Sequence, residues 1–212
     1  MTDTLDLVLA GEPVRLLADR ALYWPARRRL CIADLHLGKG DTFRAAGIAV
    51  PTGGTTHDLE RLATLLANTG AAELWILGDF LHARRHRAVD AAWRAFREAH
   101  AAVAMAVVPG NHDRAFDPEA AGVARVREGH VDPPFEFRHA PPAESDAGHH
   151  VLCGHVHPVL RLPPLGRHPL FWLRPGITVL PAFSAFTGGH PVPRADSAGS
   201  VLCDGRQLVR LG

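Results

Sequence analysis

Four short clusters hold most of the residues in this chain that could do chemistry: Asp34-Leu35-His36, Gly78-Asp79, Gly110-Asn111-His112-Asp113 and Gly154-His155-Val156-His157. Carboxylate, imidazole and amide oxygen are the donors that bind small divalent transition metals. Each cluster follows an apolar run with the look of a β-strand, so several strand ends should deliver their donors to one composite site. A lone Asp-x-His is as easily a solvated turn. The ordered set points to a two-metal hydrolase of phosphate esters.

Each cluster suggests its own role. Alternate residues of an extended chain point the same way, so Asp34 and His36 can grip one ion. By the same alternation His155 and His157 can serve one metal each while Val156 points inward. Asp79 suits a bridging carboxylate, and Gly78 before it lets the backbone approach closely. Asn111 offers an amide oxygen. His112 is placed to touch the phosphate or protonate the leaving oxygen, with Asp113 holding its imidazole in the working tautomer. One more nitrogen ligand is expected between Asn111 and His155, from His130, His139, His149 or His150. His139 is preferred, because it leaves the run Phe135–Arg138 at the correct end if that strand runs parallel to its neighbours.

The elements that must position these residues are legible in outline. Apolar runs near 5–9, 14–17, 21–24 and 29–33 read as strands, and 38–54 as a long loop. Thr55 opens a helix with a capping box to Asp58; Leu59, Leu62, Leu65 and Leu66 form its apolar face and Gly70 its end. A strand over 73–77, a helix over 87–100 and a strand over 102–108 complete parallel βαβ units. Beyond 130 short strands dominate, near 134–138, 150–154, 169–173, 177–180, 200–204 and 207–210, with Asp204-Gly205 as a two-residue hairpin turn. The expectation is an α/β (α+β) fold of two sheets stacked face to face, with helices outside.

Bulk composition narrows the class. At 212 residues the chain suits one compact domain over 1–212. A formal net charge of +1 gives no global attraction to polyanions, so any nucleic-acid binding must be local. Lys39 is the single lysine. Cys31, Cys153 and Cys203 sit in apolar runs and read as buried core thiols in a reducing compartment. Residues 1–11 lack a basic secretory n-region and no apolar run is long enough to span a membrane, so a cytoplasmic protein is expected.

In this order the clusters resemble the calcineurin-like metallophosphoesterase superfamily, over about residues 34–157. The resemblance implies a four-layer α-β-β-α sandwich and two divalent ions. It places Asp34, His36, Asp79 and His157 on one metal and Asp79, Asn111, His139 and His155 on the other, with His112 beside them. Asp34 through Asp41, Phe43-Arg44, Gly47, Leu77 through His82, His155 through Pro158, and Leu180 through Phe183 and on to Gly189 resemble the PdeM branch. That branch implies a manganese-dependent phosphodiesterase or endonuclease of DNA repair, partnered with an ATP-dependent ligase and a helicase. Oxygen and nitrogen ligands fit manganese, iron or zinc alike.

Substrate signals are weaker. Arg44, Arg84, Arg85 and Arg87 flank the expected mouth, where they could meet backbone phosphates. Phe43, Phe80 and Phe116 are stacking candidates, though Phe80 reads better as core. Arg27-Arg28-Arg29 reads as a surface turn. The competing readings are a small-molecule phosphomonoesterase or cyclic-nucleotide phosphodiesterase, which needs the same metals, and a non-catalytic scaffold, which would be expected to lack some ligands.

Overall fold

Strand β4 (Arg29–Ala33) is buried at every position, the mark of a strand covered on both faces. It lies inside a sheet with β1 (Thr4–Leu9), β2 (Glu12–Leu17), β3 (Ala21–Trp24), β5 (Glu73–Leu77), β6 (Ala104–Val108) and β7 (Ala124–Arg125). Their order is sequential, antiparallel from β1 to β4 and parallel from β4 to β7. These elements belong to a computed structural model that describes residues 3–45, 47–50, 52–82, 87–144 and 148–212.

The second sheet is built from β8 (His130–Asp132), β9 (Phe135–Phe137), β10 (His150–Cys153), β11 (Pro158–Leu162), β12 (Gly166–Arg174), β13 (Ile177–Val179), β14 (His190–Pro191), β15 (Val201–Cys203) and β16 (Leu208–Arg210). Its order is β14-β11-β12-β13-β10-β9-β8, with the β15–β16 hairpin attached to β12. Strand β9 runs parallel to β10, and β10 parallel to β13. Their carboxyl ends therefore meet, which places His139 and His155 at one edge.

The helices are α1 (Lys39–Ala45), α2 (Gly54–Thr69), α3 (Arg87–Ala99) and α4 (Pro118–Ala121). Leu59, Leu62, Leu65 and Leu66 of α2 and Val89, Trp93 and Phe96 of α3 pack on the outer face of the first sheet, over Leu30, Ile32, Leu74 and Ile76. The other faces of those strands meet the second sheet through Trp24, Cys31, Trp75, Phe135, Phe137 and Phe171. Trp24 stands edge-on to Phe135 with ring centroids 4.8 Å apart. The stacked sheets with outer helices are as expected. Among the described residues, the helices cover the first sheet alone; Leu160, Leu170 and Val192 form a small cluster on the second.

Local expectations differ from the structure at four places. The segment read as loop contains α1, whose seven residues are too few to display a helical period. Helix α2 is capped by Gly53 without a side-chain bond. Thr55 Oγ1 accepts from Gly38 N, and Asp58 bonds Arg61 and the Ala185 amide, so tertiary partners displace the capping box. The β15–β16 turn runs from Asp204 to Gln207, with Asp204 Oδ1 accepting from the amides of Arg206 and Gln207.

The fourth difference is Arg29, which is 4% exposed rather than a surface residue. Its guanidinium lies 4.0 Å from the Trp75 ring centre and bonds Glu73 at 2.7 Å in the first sheet and Asp132 at 3.0 Å in the second. Cys31, Cys153 and Cys203 are free and buried, and burial pushes the Cys31 and Cys203 thiols up to about 12. No described helix is long and apolar enough to cross a membrane.

Candidate metal centre

The first sheet brings Asp34, Asp79 and Asn111 to the ends of β4, β5 and β6; the second brings His139, His155 and His157 from the ends of β9 and β10. Asp34, His36, Asp79 and His157 have ligand atoms within 4.8 Å of one another, and so do Asp79, His139 and His155. Asn111 Oδ1 lies 3.0 Å from His139 Nε2. The two groups share Asp79, and Asn111 stands beside the second.

The backbone reaches this arrangement by a route different from the expected extended one. Asp34, His36, Asp79, His155 and His157 have φ of 53°, 46°, 41°, 69° and 50°. Non-glycine residues seldom occupy this left-handed region, and each costs on the order of 1–3 kcal/mol. Hydrogen bonds hold the turns in place. His36 N donates to Asp79 O at 2.8 Å, His155 N to Asp34 Oδ2 at 2.8 Å and His112 N to Asp79 Oδ1 at 2.9 Å. Gly78, at φ 81°, leaves room for the His139 ring. At Gly154 a Cβ would stand 2.6 Å from Asp34 Oδ2.

The donor set fits a pair of divalent cations. Asp34 is fully buried and Asp79 2% exposed. Two buried carboxylates are costly unless a positive charge meets them. Asp34 Oδ1 has no hydrogen-bond partner among the described residues. His139 Nε2 and His155 Nδ1 are 3.0 Å apart, and His36 Nε2 and His157 Nε2 are 3.3 Å apart. Nitrogens about 2.1 Å from a common ion, at right angles or slightly wider, have this spacing. Burial drives the His36 pKa far down, so its ring is neutral, the form that binds metal.

The expected bond from Asp113 to His112 is replaced. The Asp113 carboxylate accepts from the amides of Phe80 at 3.1 Å, Leu81 at 2.8 Å and Gly110 at 2.8 Å. Burial nevertheless raises its pKa. His112 is exposed, and its Nδ1 lies 3.1 Å from the His82 carbonyl oxygen.

Two neighbours had no assigned role. The His82 ring stacks on His112, with centroids 5.3 Å apart, and burial lowers its pKa to about 4. Lys39 is half-buried near Asp34 and Asp79; its being the single lysine was the available clue. Arg44 pairs with Asp41 within α1, while Arg84 and Arg85 lie outside the described residues. Phe80 and Phe116 are buried core rather than stacking platforms, and Phe43 is half-buried beside His82. His150 is buried against Thr178, and His130 lies against Trp75.

Comparison with known proteins agrees with this geometry. The family model for calcineurin-like phosphoesterases matches residues 27–176. The solved structure of Pseudomonas putida nuclease MPE is similar at a TM-score of 0.82 and 40% identity, covering 94% of this chain and 95% of that one. YfcE, a phosphoesterase from E. coli, is more distant: TM-score 0.48 and 19% identity, over 83% of this chain and 87% of its own. No curated protein sequence matches the chain. With 150 consecutive residues under the family model, the chain belongs to the calcineurin-like phosphoesterases and is a metal-dependent hydrolase of phosphate esters.

Proposed function

We propose that this single-domain protein, residues 1–212, is a manganese-dependent phosphodiesterase that cuts DNA. The observation that carries this reading is its 40% identity, over nearly the whole of both chains, to a protein described as a nuclease. In the proposed assignment Asp34, His36, Asp79 and His157 hold one cation, and Asp79, Asn111, His139 and His155 hold the other. When bound, the two ions supply Lewis-acid stabilisation of phosphoryl charge and acidify water.

The remaining roles fall to the chain itself. His112 Nδ1–H donates to the His82 carbonyl, which leaves Nε2 as the atom that exchanges a proton with the substrate. Asp113 is a positioning residue. Its three amide bonds fix the turns that carry Asp79 and Asn111. The likeness to the ligase-associated branch supports a place in DNA repair beside an ATP-dependent ligase and a helicase. Three free, buried cysteines are in keeping with a cytoplasmic location.

The test is a manganese-loaded panel of aryl phosphate mono- and diesters with single- and double-stranded DNA, run on wild type and His112→Ala. Cleavage of diester and DNA is expected, with H112A slow yet retaining its metal. Hydrolysis of monoesters alone would overturn the nuclease reading.

A further inference from the structure

A second concavity adjoins the metal residues. It encloses about 220 Å3 and is lined by Arg20, His157, Val159, Arg167 and the segment Thr187–Gly189, among others. That volume is below the ~300–1,000 Å3 of sites that enclose a whole drug-sized ligand, and suits one phosphate with part of its sugar. His157 is common to both sites. Its Nε2 faces the ligand cluster, 3.5 Å from Asp34 Oδ2, while its Nδ1 lies 3.2 Å from the Gly188 carbonyl oxygen.

The walls are rigid and positive. Arg20 sits in the turn between β2 and β3, where its Nη1 donates to the carbonyls of Ala182 and Ser184 at 3.2 Å. Arg61 holds the Phe183 carbonyl at 3.0 Å, so the segment is fixed from the first sheet and from α2. Arg20 Nε is buried and has no hydrogen-bond partner among the described residues. Arg167 stands on the opposite wall, and Arg161, its register partner across β11 and β12, lies next to it outside the lining; both are exposed. Like charges placed directly opposite are destabilising. No carboxylate lines this concavity among the described residues. The backbone N–H groups of Thr187, Gly188 and Gly189 find no acceptor among the described residues.

We propose that this cleft seats a backbone phosphate of the nucleic-acid strand next to the phosphate being cut, held by Arg20, Arg167 and the Thr187–Gly189 amides, with Arg161 adding positive charge beside Arg167. The inference rests on the nuclease reading above and adds a subsite to it. Guanidinium groups pair with phosphate oxygens in a bidentate fashion. The cleft thereby selects polynucleotides over short diesters, which lack a second phosphate.

The experiment compares wild type with the double variant Arg161→Gln, Arg167→Gln; both residues are exposed and outside the metal centre. Fluorescence anisotropy with a labelled DNA oligonucleotide, in the strandedness the wild type cuts, is measured in EDTA over a salt series. Steady-state kinetics are measured with manganese. The variant is expected to bind the oligonucleotide about tenfold more weakly, and its salt slope should fall by about 0.7–0.9, the release expected for one phosphate contact. KM for DNA should rise while aryl diester turnover stays unchanged. Unchanged affinity and slope, in a wild type that binds and cuts DNA, would overturn the cleft alone. A wild type that hydrolyses the aryl diester yet neither binds nor cuts DNA overturns both readings.

Discussion

At Asp113 one carboxylate fastens three amides from two separate turns. Asp113→Ala should cost about 3 kcal/mol in chemical denaturation, since buried amides lose a charged acceptor, and should lower bound metal by mass spectrometry. The pH profile of residual turnover should keep its shape, because His112 leans on a carbonyl; a shifted profile would restore a direct link between the two side chains. His150 gives a second test. Burial lowers its pKa from 6.5, so the unfolded chain takes up the proton first. Its contribution to stability is intact above pH 6.5 and is lost as pH falls below that value. Stability of His150→Gln should therefore decline less between pH 7 and pH 5 than that of wild type. Residue types and spacing made the ligand candidates visible in the sequence. They could not show that Arg29 faces Trp75 across a strand pair, or that Lys39 and His82 fold back beside Asp34 and His36, because those contacts depend on sheet register and on α1.

At the level of elements, the strands that carry Asp34, Asp79 and Asn111 were readable because β4, β5 and β6 are continuous apolar runs. Helix α2 was readable because its leucines keep a period and Gly70 closes it in the left-handed conformation, its N–H donating to Leu66 O. The second sheet was harder. Strand β11 starts at a proline and carries an exposed arginine, and the order β14-β11-β12-β13-β10 follows no chain sequence that local pattern could reveal. Preference for His139 depended on β9 and β10 being parallel, which they are. The close approach of β4 and β10 at their tips yields a prediction. A Cβ at Gly154 would press on Ala33 Cβ and Asp34 Oδ2, both 2.6 Å away. Gly154→Ala should thus weaken metal binding by about tenfold or more, while circular dichroism stays that of wild type. Undiminished metal binding would mean that the turn relaxes freely.

Taken whole, the molecule assigns Asp34, His36, Asp79 and Asn111 to one sheet and His139, His155 and His157 to the other. Cations held by this set join the two halves of the fold. Saturating manganese should raise the melting temperature over the chelated protein by roughly 5–10 °C, as expected when a ligand present at about a hundred times its Kd binds only the folded state. An unchanged melt in metal-replete protein would detach the ions from the fold. At the other end of the same stack Arg29 spans Glu73 in the first sheet and Asp132 in the second. The two sheets are thus fastened to one another at Arg29 as well as at the ligand-bearing strand ends. Substrate then has to arrive over the loop rim, and amide protons of β4, β5 and β10 should exchange only when the entire protein unfolds.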